Sequence, residues 1–240
     1  MNKDIWYSQI FQSSIPLRNL DENKLPKGIA SGCLIDYSGK RILLTVSHAT
    51  GNQENWAVEI GYEKNKGTIS YQLGAMWFLR GGSILDLHFK DIDFSYVEVP
   101  SDLIAFRQEL DFKGNVKKQV QLNVFSPDFD VLPSIDEQYG FSGSVMPSIE
   151  SHNGQVYFFS EFKVYAGLKY LRKEDEFYVF KLPFTHPGHE HFKGCSGAPI
   201  IDTSGKVIAL VCSGNEQTNE IYGIAISKYR VALDILVGNV

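Results

Sequence analysis

Apolar and polar positions alternate over short runs along most of this chain, and Gly, Pro, Asn, Asp or Ser bounds the runs. A period of two sends alternate side chains to opposite faces of an extended strand. Most runs are also rich in β-branched and aromatic residues, which pack well on a pleated surface. The pattern predicts strands at residues 30–36, 41–46, 56–60, 68–78 and 94–99, with one more near 84–89. A second group is predicted at 119–125, 138–145, 156–166, 176–182, 198–201, 206–212 and 221–226. Between the groups lies a polar stretch, 111–118, whose Gly114 suits a linker.

Two segments carry a helical period instead. Residues 4–11 place Trp6, Tyr7, Ile10 and Phe11 on one side, with Asp4 as a candidate cap. This helix is expected to pack on the outside of a barrel or to contact a partner. Residues 228–237 follow Ser227, a second candidate cap, and stop before Gly238. Their apolar face, Val231, Ala232, Ile235 and Leu236, is expected to dock on the second group of strands. No repeat of fixed period is found. The expected architecture is all-β: two six-stranded antiparallel β-barrels with a short N-terminal helix and a C-terminal helix. Residues 1–27 form an extension with the short helix, 28–112 the first barrel, and 113–240 the second barrel with the C-terminal helix.

Composition narrows the classes of function. The 240 residues are 43% hydrophobic and 21% charged, which is ordinary for a globular chain. Lys and Arg number 23 against 28 Asp and Glu, a net charge of −5. Proteins that grip phosphate backbones usually run basic, so nucleic acid is not expected as a partner. No apolar run approaches the roughly 18 residues that span a bilayer, so no membrane partner is expected either. The first twenty residues lack the continuous apolar core of a secretion signal. Three cysteines, Cys33, Cys195 and Cys212, do not make a disulfide framework. Both features point to a reducing, cytoplasmic setting.

Three stretches carry candidate chemistry. In LLTVSHA an apolar strand ends at Ser47 and His48. In DIDFSYVEV an aspartate, Asp93, leads into an alternating strand. In GCSGAPII, Ser196 sits among small residues ahead of an apolar strand. A serine hydroxyl is a weak nucleophile until an imidazole takes its proton. The imidazole in turn needs a carboxylate to fix its tautomer and to stabilise the imidazolium. Glycines beside the serine let a backbone turn aim N–H groups at a developing oxyanion.

Together these stretches resemble the chymotrypsin/trypsin-like serine peptidases, including the HtrA-type branch. Val46 to Ala49 is similar to that family's T-A-A-H-C or T-N-x-H-V, Asp93 to Val97 to its D-I-A-L-L, and Gly194 to Pro199 to its G-D-S-G-G-P. The order His, Asp, Ser is the family's order. The spacing, 45 residues from His48 to Asp93 and 103 from Asp93 to Ser196, fits one barrel carrying the first two and the other carrying the nucleophile. The resemblance implies a serine endopeptidase acting on a protein or peptide substrate, with no cofactor and no metal. It makes Ser196 the nucleophile, His48 the general base and then acid, and Asp93 the residue that orients His48. The backbone N–H groups of Gly194 and Ser196 become the oxyanion hole. Asp91 rivals Asp93, but the alternation after Asp93 matches the family pattern better.

The chain departs from that pattern in places. Cys195 replaces the aspartate that pairs with a freed N-terminus in trypsin-like members, and no Ile-Val-Gly-Gly start is present. Activation by trypsin-style cleavage is therefore not expected. Cys195 itself reads as a small buried thiol, because Ser196 is the residue that precedes Gly197. Cys212, Ser213 and Gly214 resemble the family's S-W-G, which borders the substrate pocket and pairs with the substrate backbone. Glutamine- and glutamate-specific relatives carry a histidine on that strand. Val211 stands at the matching position, which argues against that preference. Glu190 lies near the place of trypsin's pocket carboxylate and would select Lys or Arg. His186, His189 and His191 read as a polar rim of this region, with zinc as the alternative. The second functional reading is a latent or inactive peptidase-fold protein that binds peptides or answers to a regulatory partner.

Overall fold

The structure, a computed structural model, describes residues 3–51, 55–64, 66–83, 88–111, 115–152 and 155–239. The elements run α1 (Lys3–Ser13), β1 (Ile15–Leu20), β2 (Pro26–Tyr37), β3 (Lys40–Thr45), the one-turn α2 (Ser47–Thr50), β4 (Trp56–Glu63), β5 (Gly67–Gln72), β6 (Trp77–Ser83) and β7 (His88–Val99). The hairpin β8 (Phe106–Leu110) and β9 (Val116–Gln121) and the short β10 (Val124–Phe125) follow. The second half comprises β11 (Tyr139–His152), β12 (Gln155–Glu174), β13 (Phe177–Lys181), the one-turn α3 (His189–Phe192), β14 (Pro199–Asp202), β15 (Val207–Asn215) and β16 (Glu220–Ala225). A 3₁₀ turn (Ile226–Tyr229) leads into α4 (Arg230–Val237), which ends on Gly238 at φ +77°.

The second half closes as expected into a six-stranded barrel, β11-β12-β13-β16-β15-β14. A second closed barrel is not seen in the first half. Among the described residues it is an open sheet, β5-β4-β1-β2-β3-β7-β6, with β10 added parallel to β2. Closure needs the two edge strands to share a ladder. Here the chain leaves β5 at Leu73, whose N–H turns back to Trp56 O, and enters β6 four residues later without pairing β5 to β6. β8 and β9 pair only with each other. The segment read as a linker thus enters β9, while residues 112–114, with Gly114, lie outside the described residues. Residues 84–87 of the expected strand near 84–89 lie outside them too.

Three apolar clusters hold the fold. One fills the first sheet around Leu17, Leu43 and Val97, and one fills the barrel around Phe141, Phe180 and Ile200. The third lies between the halves and joins Cys33, Leu44 and Phe94 to Leu210, Ile224 and Leu233. β3 contributes to both sides of its sheet: Ile42, Leu43 and Leu44 are all fully buried. This explains why its sequence is a continuous apolar run rather than an alternation.

Helix α1 packs one face against the fold, with Trp6 and Ile10 buried and Ile5 and Tyr7 exposed. Trp6 and Ile10 belong to the cluster between the halves, and Trp6 Nε1 donates to Asp202 O at 2.7 Å. Ser142 Oγ donates to Ile10 O at 2.5 Å. The helix therefore packs on the second half, and its chain continues directly into β1.

Candidate active site

His48, Asp93 and Ser196 arrive from three elements at the junction of the halves. β3 ends at Thr45, and α2 turns the chain so that His48 faces β7 across the end of the sheet. Asp93 Oδ2 lies 2.6 Å from His48 Nδ1, and His48 Nε2 lies 3.1 Å from Ser196 Oγ. A carboxylate only accepts, so the proton between Asp93 and His48 sits on Nδ1. In the neutral ring Nε2 then accepts from the Ser196 hydroxyl. About half of the His48 side chain is exposed, so this edge opens to solvent.

Asp93 gathers four donors. Oδ1 accepts from Ser47 Oγ at 3.0 Å and from His48 N–H at 2.8 Å. Oδ2 accepts from His48 Nδ1 and from Cys212 Sγ at 2.7 Å. Burial alone would raise the Asp93 pKa, but the hydrogen bonds from His48 and Cys212 outweigh it and leave it at about 2. Cys212 is pushed the other way, by burial and then by the adjacent Asp93, so it stays a thiol with a proton to donate. The β15–β16 register slips between Val211 and Ser213, which makes Cys212 the unpaired residue of a bulge. Bulges re-aim side chains; here the redirected thiol meets the carboxylate.

Sequence reasoning had placed Cys212 with the substrate-binding residues, and it had not assigned Ser47. The rival Asp91 lies on the surface, paired with Arg80 at 2.8 Å. Cys195 is fully buried, with Sγ 3.7 Å from Ser144 O, and burial pushes its thiol up to about 12. Such a thiol is not a nucleophile at neutral pH.

The turn before Ser196 has a defined shape. Lys193 sits at φ −58°, ψ 115°, Gly194 at φ +105°, and Cys195 N–H donates to Phe192 O at 2.8 Å. That is a type II turn, whose third residue needs a positive φ and hence glycine. Among the described residues, neither Gly194 N–H nor Ser196 N–H has a protein acceptor. β2 of the other half pins the turn: Ser31 Oγ donates to Gly194 O at 2.7 Å, and Ser31 N–H to Ser196 O at 2.9 Å. Thr45 Oγ1 holds Ser31 O at 2.7 Å. Neither Ser31 nor Thr45 stood out in the sequence, because their contact to the turn spans the two halves.

A cavity of about 360 Å³ opens beside His48 and Ser196. Ser213, Gly214 and Cys212 line it from β15, and Glu190 lines it from α3. Glu190 is highly exposed and 3.6 Å from Lys193, so it stands at the rim. A cleft of about 440 Å³ between Gly39–Arg41 and Glu98–Ser101 has none of these groups in its lining. The three loop histidines diverge in their contacts: His191 Nε2 meets Tyr165 OH at 2.7 Å, and His186 Nδ1 accepts from Gly188 N–H at 3.1 Å. Among the described residues, the three donors close enough to share one ion are His48, Asp93 and Cys212 themselves.

With this geometry in hand, the comparisons place the architecture. The serine endoprotease from Yersinia pestis superposes with a TM-score of 0.56 at 12% identity, over 99% of this chain and 67% of that one. Human heparin binding protein superposes with a TM-score of 0.60 at 10% identity, over 97% of this chain and 94% of that one. The fold is chymotrypsin-like. Identities this low carry the fold and nothing finer. No protein-family model matches the chain, and no curated protein matches it. No helix among the described residues is long and apolar enough to cross a membrane.

Proposed function

We propose that this chain is a serine endopeptidase of the chymotrypsin-like fold. The observation that carries the reading is the unbroken hydrogen-bonded line from Cys212 and Ser47 through Asp93 and His48 to Ser196. In this reading Ser196 Oγ attacks the scissile carbonyl while its proton passes to His48 Nε2. Asp93 holds the ring and balances the imidazolium. The Gly194 and Ser196 N–H groups, which lack a protein acceptor among the described residues, bind the oxyanion. His48 then gives its proton to the leaving amine, and water hydrolyses the acyl ester by the same relay. The reaction as written uses no cofactor. Three free, buried cysteines suit the reducing cytoplasm.

A second reading is a partner-regulated or peptide-binding module on the same scaffold. It draws on the superposition with a protein named for binding heparin. A fluorophosphonate probe separates the two. The peptidase reading expects labelling of the wild type that is lost in both Ser196→Ala and His48→Ala. A folded wild type that takes no label would leave the binding reading.

A further inference from the structure

Three ligand-type atoms converge at the Asp93 end of the relay. His48 Nδ1, Asp93 Oδ2 and Cys212 Sγ all lie within 4.8 Å of one another. Nδ1 is 2.6 Å from Oδ2, and Sγ is 2.7 Å from it. Imidazole, carboxylate and thiolate are the donors that zinc takes, at about 2.0–2.3 Å. Tetrahedral bonds of that length set their ligand atoms about 3.3–3.8 Å apart. The two short gaps need to open by about 1 Å to admit an ion. Small side-chain rotations supply this, since His48 is half exposed and Cys212 sits on a bulge outside the ladder. The carboxylate is already oriented for the purpose. Oδ1 is held by Ser47 Oγ at 3.0 Å and by His48 N–H at 2.8 Å, which leaves Oδ2 to face the other two donors. An ion has a way in, because His48 and Cys212 both line the cavity of about 360 Å³.

We propose that His48, Asp93 and Cys212 form a binding site for Zn²⁺, and that the ion switches the relay off. Binding stands on the geometry alone; inhibition rests on the peptidase reading above. The cysteine is what makes the site. A hydroxyl at position 212 would bind as a neutral group, whereas a coordinating thiol gives up its proton outright. Thiolate and carboxylate then cancel the two charges of the ion, so no net charge is left in a half-buried place. The step balances as follows. The Cys212 proton goes to solvent as the sulfur–zinc bond forms. The His48 ring gives Nδ1 to the ion, carries its proton on Nε2 instead, and stays neutral. One zinc–oxygen bond replaces the two hydrogen bonds into Oδ2, and the fourth position is left to water. Nε2, now bearing hydrogen, is a donor and cannot take the Ser196 proton. The loop histidines offer no such convergence, because His186 and His191 are committed to Gly188 N–H and Tyr165 OH.

The test titrates the full chain, first stripped with a chelator, with Co²⁺ as a coloured stand-in for Zn²⁺. A thiolate-to-cobalt charge-transfer band should grow to a single equivalent, and Zn²⁺ should abolish it. Cys33 and Cys195 are fully buried, so the band reports Cys212. Cys212→Ser should lose the band. It should also weaken Zn²⁺ binding, read by calorimetry, by more than the roughly 10- to 100-fold typical of losing an outer-shell partner. Changing His189 and His191 together to Gln should alter neither reading. No thiolate band, or binding that survives Cys212→Ser and falls in the histidine variant, overturns the site. If Cys212→Ser does not fold, the band on the wild type still decides. Fluorophosphonate labelling of the wild type is read in chelator and in Zn²⁺. Labelling that stops as Zn²⁺ fills the site supports the switch, and labelling unchanged by bound Zn²⁺ overturns it. A thiolate band without labelling in chelator keeps the site and removes the peptidase together with the switch. Labelling without a band removes the site and keeps the peptidase.

Discussion

Gly197 is where one added methyl group should do the most damage. Its φ is +89°, and a Cβ there would lie 2.1 Å from Ser31 O and 2.4 Å from Thr45 Oγ1. Neither atom is free to retreat, because Thr45 Oγ1 donates to Ser31 O and the next amide, Ser31 N–H, holds Ser196 O. Gly197→Ala therefore carries two costs. The backbone conformation costs about 1–2 kcal/mol for a residue with a Cβ. Relieving the overlap adds about 1–3 kcal/mol of overpacking, with further loss if the Ser31 bonds break. A total near 4 kcal/mol corresponds to a fall of about 8–16 °C in Tm for a chain of this size. Gly39 supplies the control: its φ is +81°, but nothing lies within 4 Å of its Cβ position. Gly39→Ala should lose only the conformational part. The assay is thermal denaturation of both variants, with the rate of fluorophosphonate labelling measured at 20 °C. A displacement of about 1 Å at Ser196 should slow labelling roughly 100-fold. If Gly197→Ala melts no lower than Gly39→Ala and labels at the wild-type rate, the interlock between β2 and the Ser196 turn is not tight.

The Cys212 thiol should be replaceable by a hydroxyl but not by a methyl group. Cys212→Ser is expected to keep labelling within about threefold, and Cys212→Ala to slow it about 10- to 100-fold, the worth of a hydrogen bond to a charged group; equal rates in the two variants would remove Cys212 from the support of Asp93. Because the folded pKa of Asp93 is held at about 2, below the ordinary 3.8, it contributes stability that is present above pH 4 and lost as the pH falls toward 2. Urea denaturation at pH 5 and pH 2.5 should show a steeper acid loss in the wild type than in Asp93→Asn; parallel losses would contradict this. Trp6→Ala should cost about 3–5 kcal/mol, since the indole is 4% exposed and its N–H is bonded to Asp202 O. A change below 1 kcal/mol in urea denaturation would show that α1 is an appendage.

That His48, Asp93 and Ser196 meet was legible because each sits in a short contiguous motif, in an order and at spacings that resemble one family's. What escaped depends on partners far apart in sequence. β1 was missed because Asn19 and Leu20 break its apolar alternation, yet Asn19 is fully buried between β2 and β4. The expected strand 68–78 fused β5 with the start of β6, because Leu73 and Met76 keep the stretch apolar across the turn. The open first sheet follows from which edges meet, and no local pattern encodes that. That Cys212, besides lining the cavity, also meets Asp93 was hidden because only the bulge in β15 turns its thiol that way. Ser227 lies inside the 3₁₀ turn, and α4 begins three residues later without a side-chain cap.

The pin from Ser31 to Gly194 and Ser196 gives the order of synthesis a chemical meaning. His48 and Asp93 are made first, on the first half of the chain. Ser196 comes later, on a turn whose carbonyls are held by a strand of the earlier half. A chain that has completed β7 holds His48 and Asp93 without Ser196. Under the proposed peptidase reading, the reactive set would therefore assemble only once both halves exist and have docked.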